Sequence, residues 1–156
     1  MGQSKTATEL VKWLHSLTKG QSAPPDVPKE LTDGQFIQRV YHSSLQPRHD
    51  SDTDLNEHSK LEKRDFDPSQ QMPGGASPTF AIYLVKEQWA KYLPHEVSYF
   101  VPATSLGGVE SLMEQRVLST PDESPNLIRV STGIEDVADL KADLTRGMLQ
   151  TLSKHP

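Results

Sequence analysis

The chain is expected to fold as an α+β domain, with helices packed on one side of a small mixed sheet. Three observations predict it. Stretches with apolar residues at helical spacing stand near both ends, at 4–17 and 136–152. Between them lie short β-type runs at 36–42, 79–85, 97–101 and 127–131. The order helix, strand, excursion, strand, helix, strand, strand, helix then fits a mixed sheet with its helices segregated to one face.

The first helix is expected over residues 4–17. Thr6 or Thr8 can cap it, and Leu10, Val11, Leu14 and Leu17 form one apolar stripe that Gly20 ends. Residues 20–34 carry three prolines and two glycines, so they connect rather than form an element. FIQRVYH (36–42) is a short β-type run. Residues 43–75 set four basic against seven acidic side chains, a net of −3, with few and scattered apolar residues. Such a stretch cannot bury enough surface to offset its ordering entropy, and it is expected as a flexible surface excursion with a helical turn near 54–64. TFAIYLV (79–85) is nearly continuous in apolar character, which predicts a strand buried on both faces. KEQWAKYL (86–93) suits a helix that Pro94 should stop. VSYFV (97–101) predicts a strand, SLGG (105–108) a turn with close backbone approach, VESLMEQR (109–116) extended or irregular chain, and STPDESPN (119–126) a loop. LIRVS (127–131) predicts a strand. The last helix runs from Asp136 to about Leu152, with acidic side chains at its positive end and a Val137, Leu140, Leu144, Met148 stripe.

Composition narrows the function. The 156 residues suit about one domain. A net charge of −5 argues against a nucleic-acid binder, which carries a basic face. Cysteine is absent, which excludes disulfides, thiolate nucleophiles and cysteine-bound zinc and fits a reducing compartment. No apolar run approaches the roughly 20 residues of a membrane span, and MGQSKTATEL has no apolar signal core. Gly2 with Thr6 matches a myristoylation pattern only loosely, and Thr6 serves better as a helix start. No membrane partner and a cytoplasmic location are therefore expected.

Few residues carry chemistry. Arg129 lies in a strand between Ile128 and Val130, and alternation puts it on the opposite face with Leu127 and Ser131. There it needs a carboxylate, a phosphate or water, and an internal ion pair with Glu110 or Glu135 would meet that need. The backbone of Ser105-Leu106-Gly107-Gly108 can offer N–H groups to an anion, although an ordinary tight turn explains two glycines equally simply. His42, His49 and His58 are spaced by 7 and 9 residues, which matches no helical or finger-type ligand pattern, so no metal is expected. Lys19, at the end of the first helix, opposes the helix dipole. No set of residues combines a nucleophile, a base and an orienting group.

Two segments add a resemblance. ATSLGGVESL (103–112) resembles a stretch of the Cys/Met-metabolism family of pyridoxal-phosphate enzymes, which includes cystathionine γ-synthases, cystathionine β- and γ-lyases and homoserine sulfhydrylases. LIRVSTGIED (127–136), followed by Asp139-Leu140 and Ala142-Asp143-Leu144, resembles the family's closing strand–helix unit. VYHSSLQ (40–46), MPGG (72–75) and ATSLGGVESLMEQR resemble in particular the fungal cystathionine γ-synthase-like branch. The likeness runs in order from about residue 5 to 150 and is weakest at 47–70.

The resemblance implies the smaller, C-terminal domain of a fold-type I aminotransferase-like architecture. Residues 1–42 would supply its first helix, linker and first strand, 43–75 the excursion and 76–152 the remainder. The large domain that carries the cofactor lysine is expected to be absent, and with it the covalent pyridoxal 5'-phosphate site, so the chain is expected to be inactive alone. By the same resemblance Arg129 grips the substrate α-carboxylate and Ser105 stands beside it. Gly107 and Gly108 let the backbone approach, and Glu110 orients the turn or pairs with a neighbour. Thr104 stands where many γ-synthases and γ-lyases carry glutamate and β-lyases an aromatic, near the distal end of the substrate. The choice between β- and γ-chemistry stays open. The family's HPxxMTH-like stretch is replaced by MEQRVLSTPDESPN. The expected partners are an amino-acid substrate in the intact enzyme and either a second copy or a full-length paralogue. The alternative is a non-catalytic interaction or oligomerisation module, or the product of a truncated gene.

Overall fold

The computed structural model describes residues 2–45 and 75–156. The expectations for the excursion beyond Leu45, His49 and His58 among them, lie outside the described residues. In order the elements are α1 (Gly2–Ser16), β1 (Ile37–Tyr41), β2 (Thr79–Leu84), α2 (Glu87–Glu96), β3 (Phe100–Val101), β4 (Ser111–Gln115), β5 (Leu127–Ser131) and α3 (Val137–Lys154), with short 3₁₀ turns between some of them. The five strands form one sheet in the order β1-β2-β5-β4-β3. Neighbours are antiparallel except β3 and β4, which run parallel. The sheet is mixed, as the sequence predicts.

One sheet face carries the core. Phe80, Ile82 and Leu84 of β2, Ile128 and Val130 of β5, Ile37 and Val40 of β1 and Met113 of β4 are buried in a single apolar cluster. That cluster also holds Leu10 and Leu14 of α1, Leu17 just after it, Trp89 and Leu93 of α2, and Leu140, Leu144 and Met148 of α3. All three helices therefore bury their apolar stripes against this face, each large side chain contributing about 1.5–3 kcal/mol. Phe36 stacks on Trp89 at 4.8 Å, and the Trp89 indole N–H donates to the His155 carbonyl at 2.7 Å, which ties the end of α3 to α2.

The opposite face carries a different set. Tyr41, Ala81, Arg129 and Glu114 stand side by side as cross-strand partners from β1 to β4. Arg129 thus shares its face with Leu127 and Ser131, as alternation requires.

Three local expectations are corrected, and the alternative left open at 109–116 is resolved as extended chain. First, β2 alternates between buried and half-buried residues, because only one of its faces meets helices; its apolar run does not signal burial on both. Second, α2 runs two residues past Pro94. The ring removes one donor, but Pro94 is buried near the end of the helix, where Val97 then turns extended. Third, the strand expected at 97–101 shrinks to Phe100–Val101. Its first half is a turn held by Asp143, whose carboxylate accepts from the Ser98 and Tyr99 amides at 2.8–2.9 Å and from Arg146 at 2.6 Å. Within 109–116, residues 111–115 form a regular strand buried at every position.

Asp143→Ala should cost about 3 kcal/mol, since it strips a buried charge from two amides that have no other partner among the described residues. Urea unfolding of the two proteins measures it.

His42 closes the base of the segment that leaves β1. Its Nδ1 lies 2.7 Å from the Ser44 hydroxyl and its Nε2 2.7 Å from the Ser77 carbonyl, with Phe80 edge-on to the ring. A carbonyl can only accept, so Nε2 carries the proton of the neutral ring. Burial lowers the His42 pKa below its ordinary 6.5, and the hydrogen bond to Ser77 opposes that only in part. The unfolded chain therefore binds the proton more readily. His42 contributes stability that is present above about pH 6.5 and is lost as pH falls through its lower folded value. A urea midpoint that drops between pH 7 and 5, and drops less in His42→Gln, is the expected result.

Candidate functional site

The site lies where the C-terminal end of β5 meets the loop from Pro102 to Glu110. Ala81 and Glu114 flank Arg129 in the sheet, and the arginine's side chain is 18% exposed. Its Nη2 donates to the carbonyl of Thr104, and more loosely to those of Ser105 at 3.2 Å and Ala103 at 3.5 Å. Its Nε is buried and has no hydrogen-bond partner among the described residues. Burial lowers the Arg129 pKa, Glu114 opposes this, and Arg116 adds to it. A guanidinium so perturbed still carries its charge at neutral pH.

Neither Glu110 nor Glu135 pairs with Arg129. The carboxylate beside it is Glu114, at 3.6 Å, and Glu114 makes its shorter contact, 2.9 Å, with Arg116. Sequence reading missed both Glu114 and Arg116. The signal was the place of Glu114 opposite Arg129, with Arg116 just past the strand end, which is visible only once 111–115 is recognised as a strand.

The glycine turn lies against the same strand ends. Gly107 adopts φ +68°, a conformation that favours glycine, and its amide donates to the Ser131 hydroxyl at 3.1 Å. The Gly108 carbonyl accepts from the Gln3 side chain at 2.6 Å, so the start of α1 abuts the turn. Ser105 is exposed and reaches Arg129 through its carbonyl, and Thr104 does the same. Glu110 is exposed, and its side chain makes no hydrogen bond among the described residues. Glu135, expected as a candidate partner of Arg129, instead holds the chain that follows the turn. The Glu135 carboxylate accepts from the amide and the hydroxyl of Ser111, both at 2.8 Å, and the Ser111 hydroxyl accepts from the Gly133 amide at 2.9 Å. The Ile134 amide donates to the Val109 carbonyl at 3.0 Å. These bonds clasp 109–111 to 133–135. In the sequence Glu135 reads as a favourable charge at a helix start and as a candidate ion-pair partner for Arg129, not as a hydrogen-bond partner of Ser111.

This donor set suits a carboxylate: a planar, charged fork with one buried donor unpaired, beside a turn that brings backbone close. Among the described residues no strand carries a lysine, and the lysines on the helices and turns are exposed or half-buried. Among the described residues no group of acidic or histidine side chains is arranged to hold a metal, and no helix is long and apolar enough to cross a membrane.

Known proteins resemble this chain in sequence and in fold. Cystathionine gamma-synthase of Escherichia coli K12 is 32% identical over 132 residues, which cover 78% of this chain and 31% of that protein. The enzyme of the same name from Mycobacterium tuberculosis H37Rv is 43% identical over 60 residues, 31% of this chain and 15% of that protein. Among solved structures, cystathionine gamma-lyase of Lactobacillus plantarum complexed with L-serine superposes with a TM-score of 0.63 at 20% identity, over 97% of this chain and 34% of that one. A methionine gamma lyase from Micromonospora echinospora gives 0.60 at 26% identity, over 95% and 34%. The chain thus spans about a third of the length of these relatives where the match runs along most of it. Residues 37–149, most of the chain, match the sequence pattern of one family. The chain belongs to the Cys/Met metabolism family of PLP-dependent enzymes.

Proposed function

We propose that this chain is the substrate-carboxylate clamp of a pyridoxal-phosphate-dependent transsulfuration enzyme, cystathionine γ-synthase-like, that forms or cleaves carbon–sulfur bonds in homoserine and cysteine derivatives. It plays the part of the family's smaller C-terminal domain, of the fungal kind, while the cofactor lysine comes from polypeptide outside the described residues. The observation that carries this reading is the buried Nε of Arg129, which among the described residues has no partner, on a guanidinium that these residues hold by backbone carbonyls and a 3.6 Å ion pair with Glu114.

A neutral carbonyl is a weaker acceptor than a carboxylate. An incoming α-carboxylate therefore displaces the carbonyls of 103–105 and takes a two-point contact on Arg129. That fixes the amino acid's orientation while Thr104 faces its distal end. The Glu135–Ser111 clasp keeps the loop from following the displaced carbonyls outward. Pyridoxal phosphate, when bound, supplies the electron sink for the reaction. Leu106, Val109 and Ile134 are all exposed around the turn, an apolar rim suited to the domain that would complete the cleft.

Calorimetric titration of the full chain with L-serine and with its methyl ester tests the reading. One charge-assisted contact in half a cleft supports an affinity of about 1 mM. Binding of the acid and not of the ester is expected. Equal binding of both, or of neither at tenfold that concentration, would refute it.

A further inference from the structure

Glu114 poses a problem for any ligand of Arg129. It is a buried carboxylate, 8% exposed at the side chain, in the position directly across the strand from the guanidinium. Nothing in the sheet keeps it from closing onto Arg129, which would fill the fork with a resident carboxylate and exclude an incoming one. Yet the two meet only as an ion pair at 3.6 Å, without a hydrogen bond. Glu114 is drawn the other way, to Arg116 Nη1 at 2.9 Å, and Arg116 is itself fixed through Nη2 to the Thr120 hydroxyl at 2.9 Å. Arg116 opens the 3₁₀ turn that follows β4, two residues past Glu114, so its side chain can fold back over the strand end.

The charge balance has a consequence. Glu114 makes its hydrogen-bonded pair with Arg116 and only a longer ion pair, 3.6 Å, with Arg129, so two half-buried guanidinium groups share one carboxylate and the three side chains carry a net charge of +1. A desolvated charge is costly until a partner arrives. The three side chains therefore form a site with room for one monovalent carboxylate. Without Arg116 the remaining pair would be neutral and closed.

We infer that Arg116 is a positioning residue that engages Glu114 and holds it off Arg129, which keeps the guanidinium free for an amino-acid carboxylate. This rests on the reading that Arg129 binds that carboxylate. Arg116 itself does not touch the ligand; it removes the internal competitor.

The test uses the full chain, L-serine as the probe, and four proteins: wild type, Arg116→Met, Glu114→Gln and the Glu114→Gln/Arg116→Met double variant. Affinity is measured by calorimetry, and the Arg129 Nε–H resonance by NMR without ligand. Arg116→Met should weaken binding at least about tenfold, because a freed buried carboxylate couples strongly to the nearest cation. Its resonance should move to that of a closed ion pair. The double variant should recover to within about threefold of wild type, since no competing charge remains. Glu114→Gln alone should bind at least as tightly as wild type. A merely structural Arg116 would leave the single and double variants equally impaired, and that result overturns the inference, as does unchanged affinity in Arg116→Met. If wild type binds no L-serine, the carboxylate reading fails instead, and the resonance in Arg116→Met still decides whether Glu114 has moved. The neutral double variant also serves as the folding control, as it strands no buried charge.

Discussion

Arg129→Ala is expected to lower the affinity of the full chain for L-serine at least about 30-fold, which from a millimolar start means no measurable binding. The magnitude follows from truncating one partner of a hydrogen-bonded charge pair, a loss of about 2–5 kcal/mol. Arg129→Lys separates charge from geometry. Lysine keeps the charge as a point on a flexible stem and loses the planar fork, so about a tenfold loss is expected. Neither change should unfold the protein. Arg129 stands on the face away from the helical core, and its internal hydrogen bonds run to loop carbonyls that water can satisfy. Calorimetry beside urea unfolding separates the two effects. An alanine variant that binds as well as wild type would remove Arg129 from the site.

Gly133→Ala is expected to be the more disruptive change, although it adds a single carbon. A Cβ at this position would fall inside van der Waals contact of the Val109 carbonyl oxygen and the Glu135 carboxylate, and 2.6 Å from the Glu110 carbonyl carbon. Two of those obstacles are backbone, and the third holds Ser111 by two hydrogen bonds. Nothing there can step aside without opening the clasp. A loss of about 3 kcal/mol is expected from the overpacking alone. L-serine binding should fall as well, because the loop that carries the Thr104 and Ser105 carbonyls is anchored at its far end by this contact. Gly107→Ala offers the contrast. Open space surrounds that position, so only the positive φ resists a side chain and the loss should be near 1 kcal/mol. Equal stability of the two variants would mean that the clasp is loose.

The pattern of what the sequence reveals follows from where polar residues are buried. α1, β1, β5 and α3 sit within a few residues of their expected bounds because each presents a plain periodic face to a single core. β4 was hidden for the opposite reason. Ser111, Glu114 and Gln115 are buried polar residues, and each is satisfied from another element: Ser111 by Glu135, Glu114 by the two arginines, Gln115 by the Pro125 carbonyl at 2.6 Å. Periodicity scores such a strand as irregular chain. The site repeats the lesson. Arg129 stands out in a sequence because an arginine between isoleucine and valine needs a partner. Glu114, Arg116 and Glu135 do not stand out, since their roles exist only once β4 and β5 are paired. Glu110 lies close to the glycines in sequence, but the carboxylate that fixes the chain just after them, at Ser111, is that of Glu135.

The most direct test is a crystal structure of the full chain with L-serine bound. The account predicts the serine carboxylate on the Arg129 guanidinium beside residues 104–107, the carbonyls of 103–105 displaced, and Glu114 still on Arg116. A carboxylate bound elsewhere, or Glu114 closed onto Arg129 at saturating L-serine, would contradict it.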